Sequence, residues 1–90
     1  MPEPPFQLDY RRGAFRELER LPKLDHQRVR QRIGDLRSDP RPPGSEKYKG
    51  QENTWKIRVG NYRVVYVLDF QHHLIWITRI AYGHGAYRRF

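Results

Sequence analysis

Apolar and polar positions change period midway along the chain. In the first part, apolar side chains recur every three or four residues, at Ala14, Phe15, Leu18 and Leu21 and again at Val29, Ile33 and Leu36. That spacing lines one face of a helix. It predicts a helix that Asp9 caps and that runs to about Leu21, where Pro22 ends it. A second helix is expected from Asp25 to near Ser38, with Asp25 as N-cap and Leu24 and Val29 at the two positions of a hydrophobic staple. Asp39-Pro40 and Pro42-Pro43-Gly44 then break the helical pattern. The few residues around Pro22 make the two helices an antiparallel hairpin.

The remainder reads as sheet. Phe6 to Asp9 alternates Phe6 and Leu8 against Gln7 and Asp9, a short first strand. Asn53 to Val59, Tyr62 to Phe70 and Leu74 to Ile80 are rich in β-branched and aromatic residues, which fit a pleated, half-buried surface. Gly60-Asn61 is a two-residue hairpin loop of the kind that supplies positive φ, and Gln71-His72-His73 supplies the next turn. The expected class is α+β: an N-terminal antiparallel helical hairpin packed on one face of an antiparallel sheet of three or four strands. With 90 residues the chain has room for one domain, 1–90, preceded only by a flexible Pro-rich stretch at residues 1–5.

Charge adds direction to this picture. The formal net charge is +8 and the pI about 10.3, which suits a polyanionic partner. The charge is uneven: ten Lys/Arg and seven Asp/Glu up to Ser45, then eight and three from Glu46 onward. After Glu52 the only acid is Asp69, so the sheet half is the electropositive half. No apolar run approaches the roughly 20 residues of a spanning helix, and the N-terminus lacks the pattern of a secretory signal. There is no cysteine, which removes thiolate chemistry and favours the cytoplasm. His26, His72, His73 and His84 show no metal-ligand spacing, so neither a metal nor another cofactor is expected.

The candidate chemistry sits on the central hairpin. Side chains alternate along Trp55-Lys56-Ile57-Arg58-Val59, so Lys56 and Arg58 share one face. If Gly60 and Asn61 are the loop, Val59 pairs with Tyr62, Arg58 with Arg63 and Lys56 with Val65. Three cations then converge on one patch, two of them directly opposed. Like charges in opposition destabilise a sheet, and the arrangement calls for either solvent or an anion. A phosphodiester suits it, because guanidinium groups grip phosphate oxygens in pairs and a lysine adds a point charge. A solvated outer face is the plain alternative. Tyr62, Tyr66, Trp55 and Trp76 read as packing residues, whereas Tyr82 and Tyr87 in the glycine-containing tail are free to stack on a base. Glu46 and Glu52 are acids near these strands whose orientation the sequence leaves open.

Tyr48-Lys49-Gly50, the run Trp55-Lys56-Ile57-Arg58-Val59-Gly60-Asn61-Tyr62-Arg63-Val64-Val65-Tyr66 and the Leu21-Pro22 break between helices resemble toxins of the RelE/ParE superfamily. The resemblance covers nearly the whole chain after Pro5 and implies a RelE-like, microbial-RNase-like version of the α+β fold. It further implies a metal-independent mRNA endoribonuclease acting in the ribosomal A site by attack of a ribose 2′-hydroxyl on the adjacent phosphate. Lys56, Arg58 and Arg63 would then bind phosphate and stabilise charge, with His84 and Tyr87 as tail residues for proton transfer or stacking. Lys47, Lys49, Arg79, Tyr82 and Arg88 would contact RNA around them, Arg79 only if its strand turns it inward. In one respect the chain departs from the family. The His-Arg or Lys-Arg step expected before the tail tyrosine is replaced by Tyr82-Gly83.

Two other functions share these features. One is a ParE-like inhibitor of DNA gyrase acting by protein contact without nuclease chemistry. The other is a basic nucleic-acid-binding module with salt-sensitive binding and no reaction. A toxin of this superfamily also implies a cognate antitoxin, acidic and partly disordered, that folds around it.

Overall fold

The chain is described here by a computed structural model, which covers residues 4–83. Leu8 and Tyr10 alternate with Gln7 and Asp9, and this segment forms strand β1, Gln7–Tyr10. Helix α1 follows at Arg12–Glu19 and α2 at Lys23–Asp35. Strands β2 (Glu46–Lys47), β3 (Thr54–Val59), β4 (Tyr62–Asp69) and β5 (Leu74–Tyr82) complete the order. The helical hairpin packs on one face of the sheet, as the periodicities predict. The sheet has five strands in the order β1-β5-β4-β3-β2. Its one addition to the expected set is the two-residue β2, and the expected first strand, β1, pairs with β5 in parallel rather than antiparallel while the other pairs are antiparallel.

The helix starts differ from the sequence reading. Arg11, not Asp9, is the N-cap of α1, and it makes no side-chain cap. Asp9 is still in the strand and its carboxylate accepts the Tyr10 N–H at 2.8 Å. Likewise α2 begins directly after Pro22, whose φ of −55° already suits the turn into a helix. Asp25 thereby becomes a first-turn residue, where a carboxylate favours the positive end of the helix dipole. Leu24 is 67% exposed, so no staple forms. At the other end α2 stops at Asp35, and the backbone of Leu36, Arg37 and Ser38 tightens into i→i−3 hydrogen bonds.

Ala14, Leu18, Val29, Ile33 and Leu36 are buried against Ile57, Val64, Tyr66, Leu68, Ile75, Ile77 and Ile80 from the sheet. Leu21 is only partly buried, and Phe15 is half exposed, its ring edge-on to Tyr10 with centroids 6.1 Å apart. Phe15 is one residue, about 100° of helical turn, away from Ala14, and the short α1 buries a narrower stripe than four apolar positions suggest. Tyr66 is fully buried, and its hydroxyl donates to the Pro40 carbonyl at 2.7 Å. No helix among the described residues is long and apolar enough to cross a membrane.

Two irregularities shape β5. Val65 pairs with Arg79 but Tyr66 pairs with Ile77, so Thr78 is an extra residue in β5. The Thr78 hydroxyl donates to the Val65 carbonyl at 3.1 Å, within the disturbed part of the ladder. Beyond Ile77, β5 outruns β1. There Glu17 of α1 takes the place of a neighbouring strand, accepting the Ile80 N–H at 2.8 Å and the Arg79 guanidinium at 3.0 Å.

Candidate functional site

The site begins with a turn. Gly60 has φ +59° while Asn61 does not enter the positive region, the pattern of a II′ loop with glycine at its first central position. This loop sets the register of β3 against β4: Val59 opposite Tyr62, Arg58 opposite Arg63, Ile57 opposite Val64 and Lys56 opposite Val65. Tyr62 and Val64 are buried under the helices. Period-two alternation therefore puts Lys56, Arg58 and Arg63 on the other face, which neither α1 nor α2 covers. The expected pairing of the two arginines is present. Cross-strand partners have Cβ atoms about 4.5–5.5 Å apart, so two guanidinium groups start from neighbouring roots. The Arg58 Nε–H donates to the Gly60 carbonyl at 3.1 Å, which folds that side chain back over the turn.

Arg58, Asn61, Arg63, Tyr82 and Gly83 together line a hollow of about 160 Å³. Tyr82 also lines it, 65% exposed; as the cross-strand partner of Tyr62 it projects to the helix side, where its ring meets the Tyr62 ring edge-on at 5.2 Å. The Tyr62 hydroxyl donates to the Asp25 carboxylate of α2 at 3.0 Å. Burial pushes the pKa of that hydroxyl up, and the hydrogen bond to Asp25 raises it further. The aromatic beside the cations is thus braced from the helix layer. Gly83 is held to the loop by its N–H, which donates to the Asn61 carbonyl at 2.8 Å, and it adopts φ +81°. At the position where a family arginine is expected, the backbone takes a conformation that glycine accommodates without strain.

The other expected site residues fall in different surroundings. Lys56 is half-buried, opposite Glu46 of β2, with its ammonium 5.6 Å from the Tyr48 ring centroid. Glu46 therefore has a defined place, on the face of the cations. Lys47 pairs with Trp55 and so emerges on the opposite face from Lys56, while Lys49 is exposed in the turn after β2. Arg79 is drawn to Glu17 at the β5 edge rather than toward the Arg58–Arg63 pair. His84, Tyr87 and Arg88 lie outside the described residues. Asn61 is the residue the sequence reading passed over. Its signal was its place in the loop, where its carbonyl is aimed at whatever follows β5.

A face with three cations, one of them opposite an acid, and an exposed aromatic at the end of the sheet beside it can hold a phosphate and the base attached to it. Guanidinium groups also stabilise negative charge that grows on phosphate oxygens during transfer.

Comparison with known proteins gives these features a family context. Residues 8–87 match the family described as "ParE toxin of type II toxin-antitoxin system, parDE". Toxin RelE of Mycobacterium tuberculosis is 34% identical over 85 residues, covering 93% of this chain and 88% of the relative. Among solved structures, a chain of the RelBE2 toxin–antitoxin complex from M. tuberculosis aligns with a TM-score of 0.75 at 27% identity, over 87% of this chain and 98% of that one. The isolated Escherichia coli RelE toxin aligns with a TM-score of 0.79 at 18% identity, over 93% and 97% of the two chains, a likeness of fold.

Proposed function

We propose, for a chain that belongs to the ParE toxin family of type II toxin–antitoxin systems within the RelE/ParE superfamily, that it cuts messenger RNA on the ribosome. The observation that carries this reading is the Arg58–Arg63 pair on the face away from α1 and α2, with Tyr82 among the residues that line the same hollow. In this reading the ribose 2′-oxygen attacks the adjacent phosphorus and its proton passes to a base. The bond from phosphorus to the 5′-oxygen breaks, and that oxygen takes a proton from an acid, leaving a cyclic phosphate and a free 5′-hydroxyl. Arg58 and Arg63 hold the phosphate and stabilise the added charge of the pentavalent state. Lys56 contributes a further positive charge along β3, and Tyr82 stacks on a flanking base. His84 and Tyr87 take the proton-transfer and stacking roles of the tail, and Lys47, Lys49, Arg79 and Arg88 are proposed RNA contacts further out. No metal or cofactor takes part.

The partner proposed for the protein off the ribosome is a cognate antitoxin, since several chains of this fold occur in toxin–antitoxin complexes. Its expected chemistry is acidic, matching the net charge of +8. The cytoplasm is the compartment where both partners would meet.

The ParE description of the matched family favours a second reading, inhibition of DNA gyrase by protein contact. One experiment separates the two. Purified protein is added to a translation reaction with 70S ribosomes, and messenger ends are mapped by primer extension. Discrete cuts in the A-site codon that need ribosomes support the nuclease. Intact messenger together with loss of gyrase supercoiling activity replaces it with the second reading.

A further inference from the structure

A larger hollow, about 860 Å³, lies at the opposite end of the sheet from the Arg58–Arg63 pair. Phe70 directly follows the last residue of β4, whereas Arg63 is its second residue. Seven residue steps separate them, about 23 Å. The hollow is lined by Phe6, Arg37, Arg41, Phe70 and His73 among others, and no carboxylate of the described residues is in its wall. Its parts come from the segment before β1, the end of α2, the loop after α2 and the β4–β5 turn.

Its chemistry is aromatic and cationic together. Phe6 is buried and stacks on His73 with centroids 3.8 Å apart, and Phe70 meets Phe6 edge-on at 6.3 Å. Phe70 is nevertheless 51% exposed, an aromatic face turned to solvent. The Arg41 guanidinium lies 5.9 Å from the Phe70 ring and 6.0 Å from the Trp55 ring, at the reach of cation–π attraction. Arg37 donates its Nε–H to the Phe6 carbonyl at 2.9 Å, and His73 Nε2 is 2.8 Å from the Pro4 carbonyl. These bonds hold the walls in place and leave the outer edge of the Arg37 guanidinium at the surface. Exposed aromatic faces beside fixed guanidinium groups are how proteins hold unpaired nucleotides without reading their sequence.

We propose that this hollow is a second contact for single-stranded RNA, in which one unpaired base stacks on Phe70 and its phosphate lies on Arg41 and Arg37. The choice of RNA as ligand rests on the nuclease reading, but the contact itself is separate from the Arg58–Arg63 site.

The test is fluorescence polarisation with a labelled single-stranded RNA of twelve nucleotides, on the full chain. Arg41→Ala, Phe70→Ala and Phe70→Leu are each made in the wild-type background and in an Arg58→Ala/Arg63→Ala background. Each is expected to weaken binding about tenfold in both backgrounds, and Arg41→Ala also lowers the salt slope by about one. Phe70→Leu keeps apolar bulk but loses the aromatic face, so its loss separates stacking from packing. Unchanged affinity in these variants overturns the proposal, as does complete loss of binding in Arg58→Ala/Arg63→Ala alone. Hexaglutamate binding as tightly as the RNA also overturns it, because stacking would then be irrelevant. Failure of the nuclease reading registers elsewhere: intact messenger on ribosomes with the polarisation results unchanged.

Discussion

Arg58 and Arg63 face each other across the β3–β4 hairpin, one pair beyond the residues that close its II′ turn. Like charges in direct opposition work against the strand pairing that brings them together. Activity and stability should therefore respond to their removal with opposite signs. Arg63→Ala is expected to lower messenger cleavage about 10²–10³-fold, the size of effect seen when one stabiliser of developing charge is lost, while the thermal midpoint holds or rises. Arg58→Ala should behave likewise. Because both groups act on one phosphate, the double variant should fall short of the summed single losses. Equal cleavage by Arg63→Ala and wild type would remove that residue from the mechanism.

Gly83 offers a gain rather than a loss. It lines the same hollow, its φ is +81°, and a Cβ built there meets no atom of the described residues within 4 Å. Gly83→Arg therefore has space but a disfavoured backbone, a cost of about 1–2 kcal/mol. The expected outcome is faster cleavage with a lower urea midpoint. Slower cleavage at unchanged stability would mean that the side chain blocks the hollow.

Glu17 replaces a strand neighbour for β5 by binding the Ile80 N–H and Arg79 at once. Glu17→Ala leaves a part-buried N–H without its partner and should cost about 1–3 kcal/mol in urea unfolding. Glu17→Gln keeps an acceptor for Ile80 and should lose less. Equal loss in both would point to the Arg79 ion pair as the main effect.

Tyr66 ties the core to the Pro40 carbonyl, and burial raises its hydroxyl above the ordinary value of 10.0. A raised pKa means that the folded state holds the proton more tightly. Its stabilisation is complete below pH 10.0 and disappears as pH rises through the folded value. Tyr66→Phe should be about 1 kcal/mol less stable at neutral pH, and its stability curve should approach that of wild type in alkali. Melting both proteins across alkaline pH checks this, and parallel curves would contradict it.

Asp69 gives the acid counterpart. Its carboxylate accepts the His72 N–H at 3.0 Å and meets the His72 ring nitrogen at 2.8 Å. The backbone bond first, and the ring bond after it, hold its pKa below the ordinary 3.8. A lowered pKa stabilises the fold above pH 3.8, and that contribution is lost as pH falls through the folded value. Asp69→Asn should melt earlier than wild type at neutral pH and converge with it in acid. A constant difference across that range would assign the effect to the turn itself.

Both helices and the three long strands could be read from periodicity, since 3.6-residue and two-residue patterns leave different marks on which residues are apolar. The hairpin register followed from the sequence on the one condition that Gly60 and Asn61 are the loop, a condition the observed pairs meet. Caps were not. Asp9 and Asp25 carry the side chains of N-caps, but β1 keeps Asp9 extended and Pro22 starts α2 before Asp25 is reached. The parallel pairing of β1 with β5 is invisible locally, because its partners lie 67 residues apart, Gln7 with Leu74. The site shows the same division. Its cations follow from the turn, whereas the place of Glu46 depends on β2 returning to β3. The binding of Arg79 by Glu17 depends on where β1 ends.

That parallel edge also imposes an order on biosynthesis. Synthesis runs from N- to C-terminus, so Gln7–Tyr10 appears before every other strand and helix of this fold. Its partners in β5, Leu74 to Ile77, are made after the helices and all the other strands. During most of synthesis the strand has nothing to pair with, and long-range pairings of this kind are slow to close. The first strand made is the last one that can be placed.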